Sequence, residues 1–131
     1  MILVDTSVWI EFLEGHRHWT KDRLKEKIND RETIGFIDLI LLEIIQGVRD
    51  RKDREILELR FQSFAELPVR RSTIMLAAEI HQDLQRKGIS IRSIIDCVIA
   101  AVGIETGAVI LHKDRDFDYI AGHFPLVVEK Q

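Results

Sequence analysis

Apolar positions along the chain follow two rhythms, short unbroken runs and stripes recurring every three or four residues, and the two alternate from one end to the other. Ile2-Leu3-Val4 is an apolar run that stops at Asp5, and Thr6-Ser7 followed by Val8, Ile10, Phe12 and Leu13 has the spacing of a helix behind a polar cap. Trp19 to Asn29 is charged, with Leu24 and Ile28 four apart, as in a solvated helix with a narrow buried stripe. Thr33 to Ile37 reads as a second strand. Asp38 then caps a helix running to about Val48, whose stripe is Ile37, Ile40, Leu41, Ile44 and Val48. Arg51 to Phe64 is a further amphipathic helix, and Ala65 to Val69 a third strand, with Pro68 suited to its edge or end. Ser72 opens a long helix that Lys87-Gly88 stops, and Ser93 caps an unusually apolar one, Ile94 to Glu105, ended by Thr106-Gly107. Ala108 to Leu111 is a strand, His112 to Asp118 a polar loop, and Leu126-Val127-Val128 a last short strand.

Strands alternating with helices throughout predict an α/β sandwich around a mainly parallel sheet, whose functional groove lies at the carboxyl ends of the strands. Asp5 and Asp114 both follow strands at that edge. No linker, repeat or low-complexity tract interrupts the pattern, so residues 1–131 are expected to form a single domain.

Composition narrows the classes without choosing one. A chain that is 46% hydrophobic and 31% charged folds compactly and is neither disordered nor fibrous. No apolar run approaches the roughly 20 residues that span a bilayer, and the chain starts on a strand-like segment in place of a secretory signal, so a cytoplasmic location is expected. The formal charge of −3 gives no global attraction to nucleic acid, and a polyanion must be held by local basic residues or bound metal ions. The single cysteine, Cys97, lies in an apolar run where a thiol behaves as a small hydrophobe. Five scattered histidines complete no zinc pattern, the glycines form no phosphate loop, and Ser7 lacks the G-x-S-x-G elbow of a serine nucleophile.

The carboxylates carry the remaining signal. Asp5 is placed either to cap the next helix or, with Thr6 or Ser7 as the cap, to face the groove. Glu43 stands within Leu39-Ile40-Leu41-Leu42-Glu43-Ile44-Ile45, on a solvated flank or at a site. Asp96 is more telling, because Ile94 to Val102 is otherwise apolar all round and a buried unpaired carboxylate is costly; it needs a cation or strong donors, such as the helix N-terminus. Asp114, Asp116 and Asp118 crowd one loop. Acids gathered at one edge raise one another's pKa unless a divalent ion offsets them, and an all-carboxylate set selects Mg²⁺ or Mn²⁺ over zinc.

Four segments, Ile2-Leu3-Val4-Asp5-Thr6-Ser7-Val8-Trp9, Leu42-Glu43-Ile44-Ile45-Gln46-Gly47, Ile95-Asp96-Cys97-Val98-Ile99-Ala100-Ala101 and Leu111-His112-Lys113-Asp114-Arg115-Asp116-Phe117, resemble in order and spacing the VapC-type toxins of the PIN-domain family. The resemblance covers essentially the whole chain. It implies a three-layer α/β/α sandwich and an Mg²⁺- or Mn²⁺-dependent endoribonuclease, held inactive by a cognate antitoxin protein and often a homodimer. By position, Asp5, Glu43, Asp96 and Asp114 match the four acidic positions that hold metal, with Asp116 an alternative or addition to Asp114 in catalysis. Thr6 or Ser7 matches a polar position that supports the site. Arg92, Lys113 and Arg115 are the basic residues expected to hold the RNA backbone.

Two rivals from other classes fit poorly. A response-regulator receiver needs an acid pair after its first strand, where Asp5 is single, and a haloacid-dehalogenase-type phosphatase needs an Asp at the position of Ser7. A PIN-fold RNA-processing nuclease without an antitoxin, or a PIN-fold binding module that has lost catalysis, would differ in genomic context or in its acids.

Overall fold

The computed structural model describes residues 1–131. Four short strands, β1 (Ile2–Val4), β2 (Ile34–Phe36), β3 (Ala65–Glu66) and β4 (Val109–Leu111), alternate with helices α1 (Thr6–Glu14), α2 (Trp19–Asn29), α3 (Asp38–Ile45), α4 (Arg51–Phe61), α5 (Arg71–Arg86), α6 (Ile94–Thr106) and α7 (Asp116–Ala121). All strand pairs are parallel and the order across the sheet is β3-β2-β1-β4. The chain therefore steps from β1 outward to β3 and then returns to pair β4 on the other side of β1. That reversal opens a crevice at the carboxyl ends of β1 and β4, where parallel α/β sheets place their ligands. The Asp5 amide closes onto the Leu111 carbonyl at 2.9 Å and ties the two strand ends together.

The predicted three-layer α/β/α sandwich is the observed architecture. α1 packs on α2 and α3, while α6 packs along α5 and against α7 and β4. Strands this apolar are buried because helices cover the sheet: β1 and β2 have no exposed residue. α6 is the most enclosed helix, with every residue from Cys97 to Gly103 buried, as its unbroken apolar run predicts. Gly103 is the close-approach point, since a Cβ there would stand 2.8 Å from Ile110 Cδ1 of β4.

Several boundaries differ from the sequence expectation. The C-terminal run Leu126–Val128 makes only an isolated bridge, Ile110 to Val128, and β3 is two residues long. Pro68 denies β3 an amide for further pairing. α3 stops at Ile45 and α4 at Phe61, short of Val48 and Phe64, because tight turns take over the last carbonyls. Asp38 is the first helical residue and not the cap, which is Ile37. α5 begins at Arg71, with Thr73 Oγ1 accepting from the Arg70 amide at 3.0 Å. No helix is long and apolar enough to cross a membrane.

Candidate active site

Asp5 follows β1 directly with an extended backbone and caps α1 itself: its Oδ2 accepts from the Ser7 amide at 3.2 Å and from the Ser7 hydroxyl at 2.6 Å. The expectation that Thr6 or Ser7 would cap and free Asp5 is thus corrected, because the residue immediately after a strand has the β-region geometry that a cap needs. Capping does not remove Asp5 from the groove. It is 4% exposed, and burial pushes its carboxyl above the ordinary range against the lowering effect of the Ser7 bonds. Thr6 turns the other way and donates to Glu43 Oε1 at 3.2 Å, which draws the half-buried α3 acid toward β1. The Glu43 carboxyl is raised, mainly by burial and additionally by the charge of Asp5. Both hydroxyl residues therefore donate to acids, Ser7 to Asp5 and Thr6 to Glu43.

Asp96 sits in the first turn of α6. The Ser93 side chain makes no capping bond, and its carbonyl accepts the Asp96 amide at 3.1 Å. Burial, and then the charges of Asp5, Asp114, Asp116 and Glu43, push Asp96 up to about 7. Those four charges belong to the other acids expected at the site, so Asp96 feels all of them.

Among these acids, Asp96, Asp114 and Asp116 form a tighter group, each offering a carboxylate oxygen within 4.8 Å of the others. Their donors are hard oxygens only, at a separation one small cation can bridge, and such a cation would offset both the burial of the Asp96 charge and its repulsion by the neighbouring acids. The residues present fit Mg²⁺ or Mn²⁺. Asp114 Oδ1 accepts from the Asp116 amide at 3.0 Å, starting α7, while Asp116 is 2% exposed and accepts from the Arg92 amide at 3.1 Å. The polar loop expected over His112 to Asp118 thus becomes helical at Asp116, with Phe117 fully buried as its anchor.

The three basic residues separate. Arg92 lies across the group, its Nη2 at 3.0 Å from Asp114 Oδ1 and its Nε at 3.7 Å from Asp116 Oδ2. The Lys113 amine is instead paired with Glu11 of α1, while its backbone amide donates to Ser7 Oγ at 3.3 Å. Arg115 is exposed at the start of α7. Cys97 is buried beside Asp96, its thiol pushed up to about 12 by burial and neighbouring acids, which suits the inert role expected of it.

His112 was not singled out by the sequence. It is 7% exposed, its ring lies 5.0 Å from that of Phe117, and its Nδ1 is buried without a partner. Its charge, when protonated, would favour ionised Asp5. Its position one residue past a buried strand was the available signal.

The chain matches the PIN domain family model over residues 2–123. It is 34% identical to a VapC ribonuclease of Mycobacterium bovis and to the ribonuclease VapC11 of Mycobacterium tuberculosis, in each case over 123 residues covering 92% of both chains. In shape it is similar to a chain in the VapBC2 structure from Rickettsia felis bound to a promoter DNA fragment, with a TM-score of 0.76 at 17% identity over 100% of this chain and 99% of that one. A chain in the VapBC-1 structure of nontypeable Haemophilus influenzae aligns with the same TM-score at 16% identity, over 99% of this chain and 98% of that one. Similarity along nearly the whole length, in sequence as well as in fold, shows that the chain belongs to the PIN-domain family, among its VapC-type members.

Proposed function

We propose that the protein is a divalent-metal-dependent endoribonuclease, the toxin of a toxin–antitoxin pair, acting in the cytoplasm as a single catalytic domain. The observation that carries this reading is the convergence of Asp96, Asp114 and Asp116 within 4.8 Å at the strand ends. Asp5 and Glu43 border the same groove. When bound there, Mg²⁺ or Mn²⁺ supplies Lewis-acid chemistry, making water acidic enough to attack phosphorus near neutral pH and offsetting charge on the phosphate oxygens. Asp96, Asp114 and Asp116 hold the ion, and Asp5 and Glu43 add negative charge that draws it in and orient water at the groove edge. An ion held there would offset the charge on the Asp96 carboxylate, whose carboxyl burial and the neighbouring acids push up to about 7. Arg92 and Arg115, both exposed, supply positive charge for the RNA backbone that the net charge of −3 does not.

The relatives named as VapC ribonucleases support the reaction, and the VapBC neighbours support the antitoxin. A homodimer is also expected by likeness to the family. Purified protein should cut single-stranded RNA with Mn²⁺ or Mg²⁺ and stop when excess EDTA is added, followed by denaturing gel electrophoresis. Undiminished cutting in EDTA would remove the metal from the account.

A further inference from the structure

Arg92 belongs to the segment between α5 and α6 and is anchored twice over the acidic group. Its backbone amide donates to Asp116 Oδ2 at 3.1 Å, and its guanidinium reaches Asp114 Oδ1 at 3.0 Å and Asp116 Oδ2 at 3.7 Å. The two anchors differ in permanence. The amide is fixed by the backbone, whereas the side chain is 70% exposed, so its release into water costs little. The two carboxylates it engages belong to the three-acid group, Asp96, Asp114 and Asp116, and two cations sharing them repel one another.

We propose that the Arg92 side chain is an intramolecular competitor for the cation site, neutralising Asp114 and Asp116 in the metal-free protein and leaving them when Mn²⁺ or Mg²⁺ binds. The backbone amide of Arg92 holds Asp116 in place throughout, so the acids stay arranged while the guanidinium moves. This inference rests on the proposed metal site, and it makes Arg92 a positioning residue whose contact with the acids weakens metal affinity. Removal of a cation of this exposure corresponds to about a two- to fivefold change in binding.

The test is isothermal titration of the full chain with Mn²⁺ alone, for the wild type, Arg92→Gln and Arg92→Lys. Arg92→Gln keeps the backbone amide, so Mn²⁺ should bind about two- to fivefold more tightly, with Arg92→Lys between it and the wild type. Raising KCl to about 0.5 M should narrow the difference, because exposed charges are screened. A merely structural role for Arg92 moves affinity the other way. Equal or weaker Mn²⁺ binding by Arg92→Gln, with the wild type binding normally, overturns the competitor role and leaves the metal site standing. Absence of Mn²⁺ binding in the wild type overturns the proposed site and the inference with it.

Discussion

At the scale of single residues, Asp96 holds its carboxyl far from what water would give it. Its carboxyl is raised from 3.8 to about 7 by burial and by four neighbouring acids, so the folded protein holds this proton more tightly than the unfolded chain does. The stabilising contribution is fully present below about pH 3.8 and is lost as pH rises through about 7. Metal-free protein should therefore be less stable at pH 8 than at pH 5, and Asp96→Asn should remove that part of the slope. Partial exposure of Asp96 limits the difference to about 1–2 kcal/mol. Urea unfolding of both proteins in EDTA at the two pH values measures it, and equal slopes would deny Asp96 its shifted proton. The sequence already marked this residue, because an acid inside an apolar helix has few innocent explanations. It did not show the Glu11 partner of the Lys113 amine, since that residue is far away along the chain and only the fold brings them together.

At the scale of elements, the β4–α7 connection decides how its two acids differ. In the sequence, Asp114 stands closer than Asp116 to Leu111, the last residue of β4. The structure brings both to the group, and the turn into α7 gives them distinct work. Asp114 caps Asp116 from a partly exposed position, while Asp116 points inward and satisfies the Arg92 amide. Each substitution frees one backbone amide, but Asp116 is 2% exposed whereas Asp114 is partly exposed, so water replaces the lost acceptor less readily at Asp116, and Asp116→Ala should cost more folding stability than Asp114→Ala, by about 1–3 kcal/mol. Chemical denaturation of the two variants in EDTA checks the order, and the reverse order would mean that Asp116 is not the inward-facing acid. The α1 entry was legible only in part: an Asp, a Thr and a Ser in succession offered three caps, and backbone geometry after β1 selected Asp5. The last strand-like run, Leu126–Val128, covers the sheet edge with one bridge and little ladder, because its pattern reports burial and not pairing.

At the scale of the molecule, the topology explains why residues separated by most of the chain share one groove. The order β3-β2-β1-β4 places the ends of β1 and β4 side by side, and α6 delivers Asp96 into the crevice between them. Alternating strand and helix patterns made that architecture readable before any coordinates, whereas strand order depends on packing between distant segments. The central claim is that these acids together cut RNA, and removing the charge of Asp96, which belongs to the three-acid group and feels the other four acids, tests it most directly. Cleavage of a single-stranded RNA by wild type and Asp96→Asn should be compared at the same Mn²⁺ concentration, with circular dichroism verifying that both are folded. The account predicts that Asp96→Asn loses cleavage by about 100-fold or more, as expected when a metal-holding group is removed; cleavage by the folded variant at the wild-type rate would contradict it.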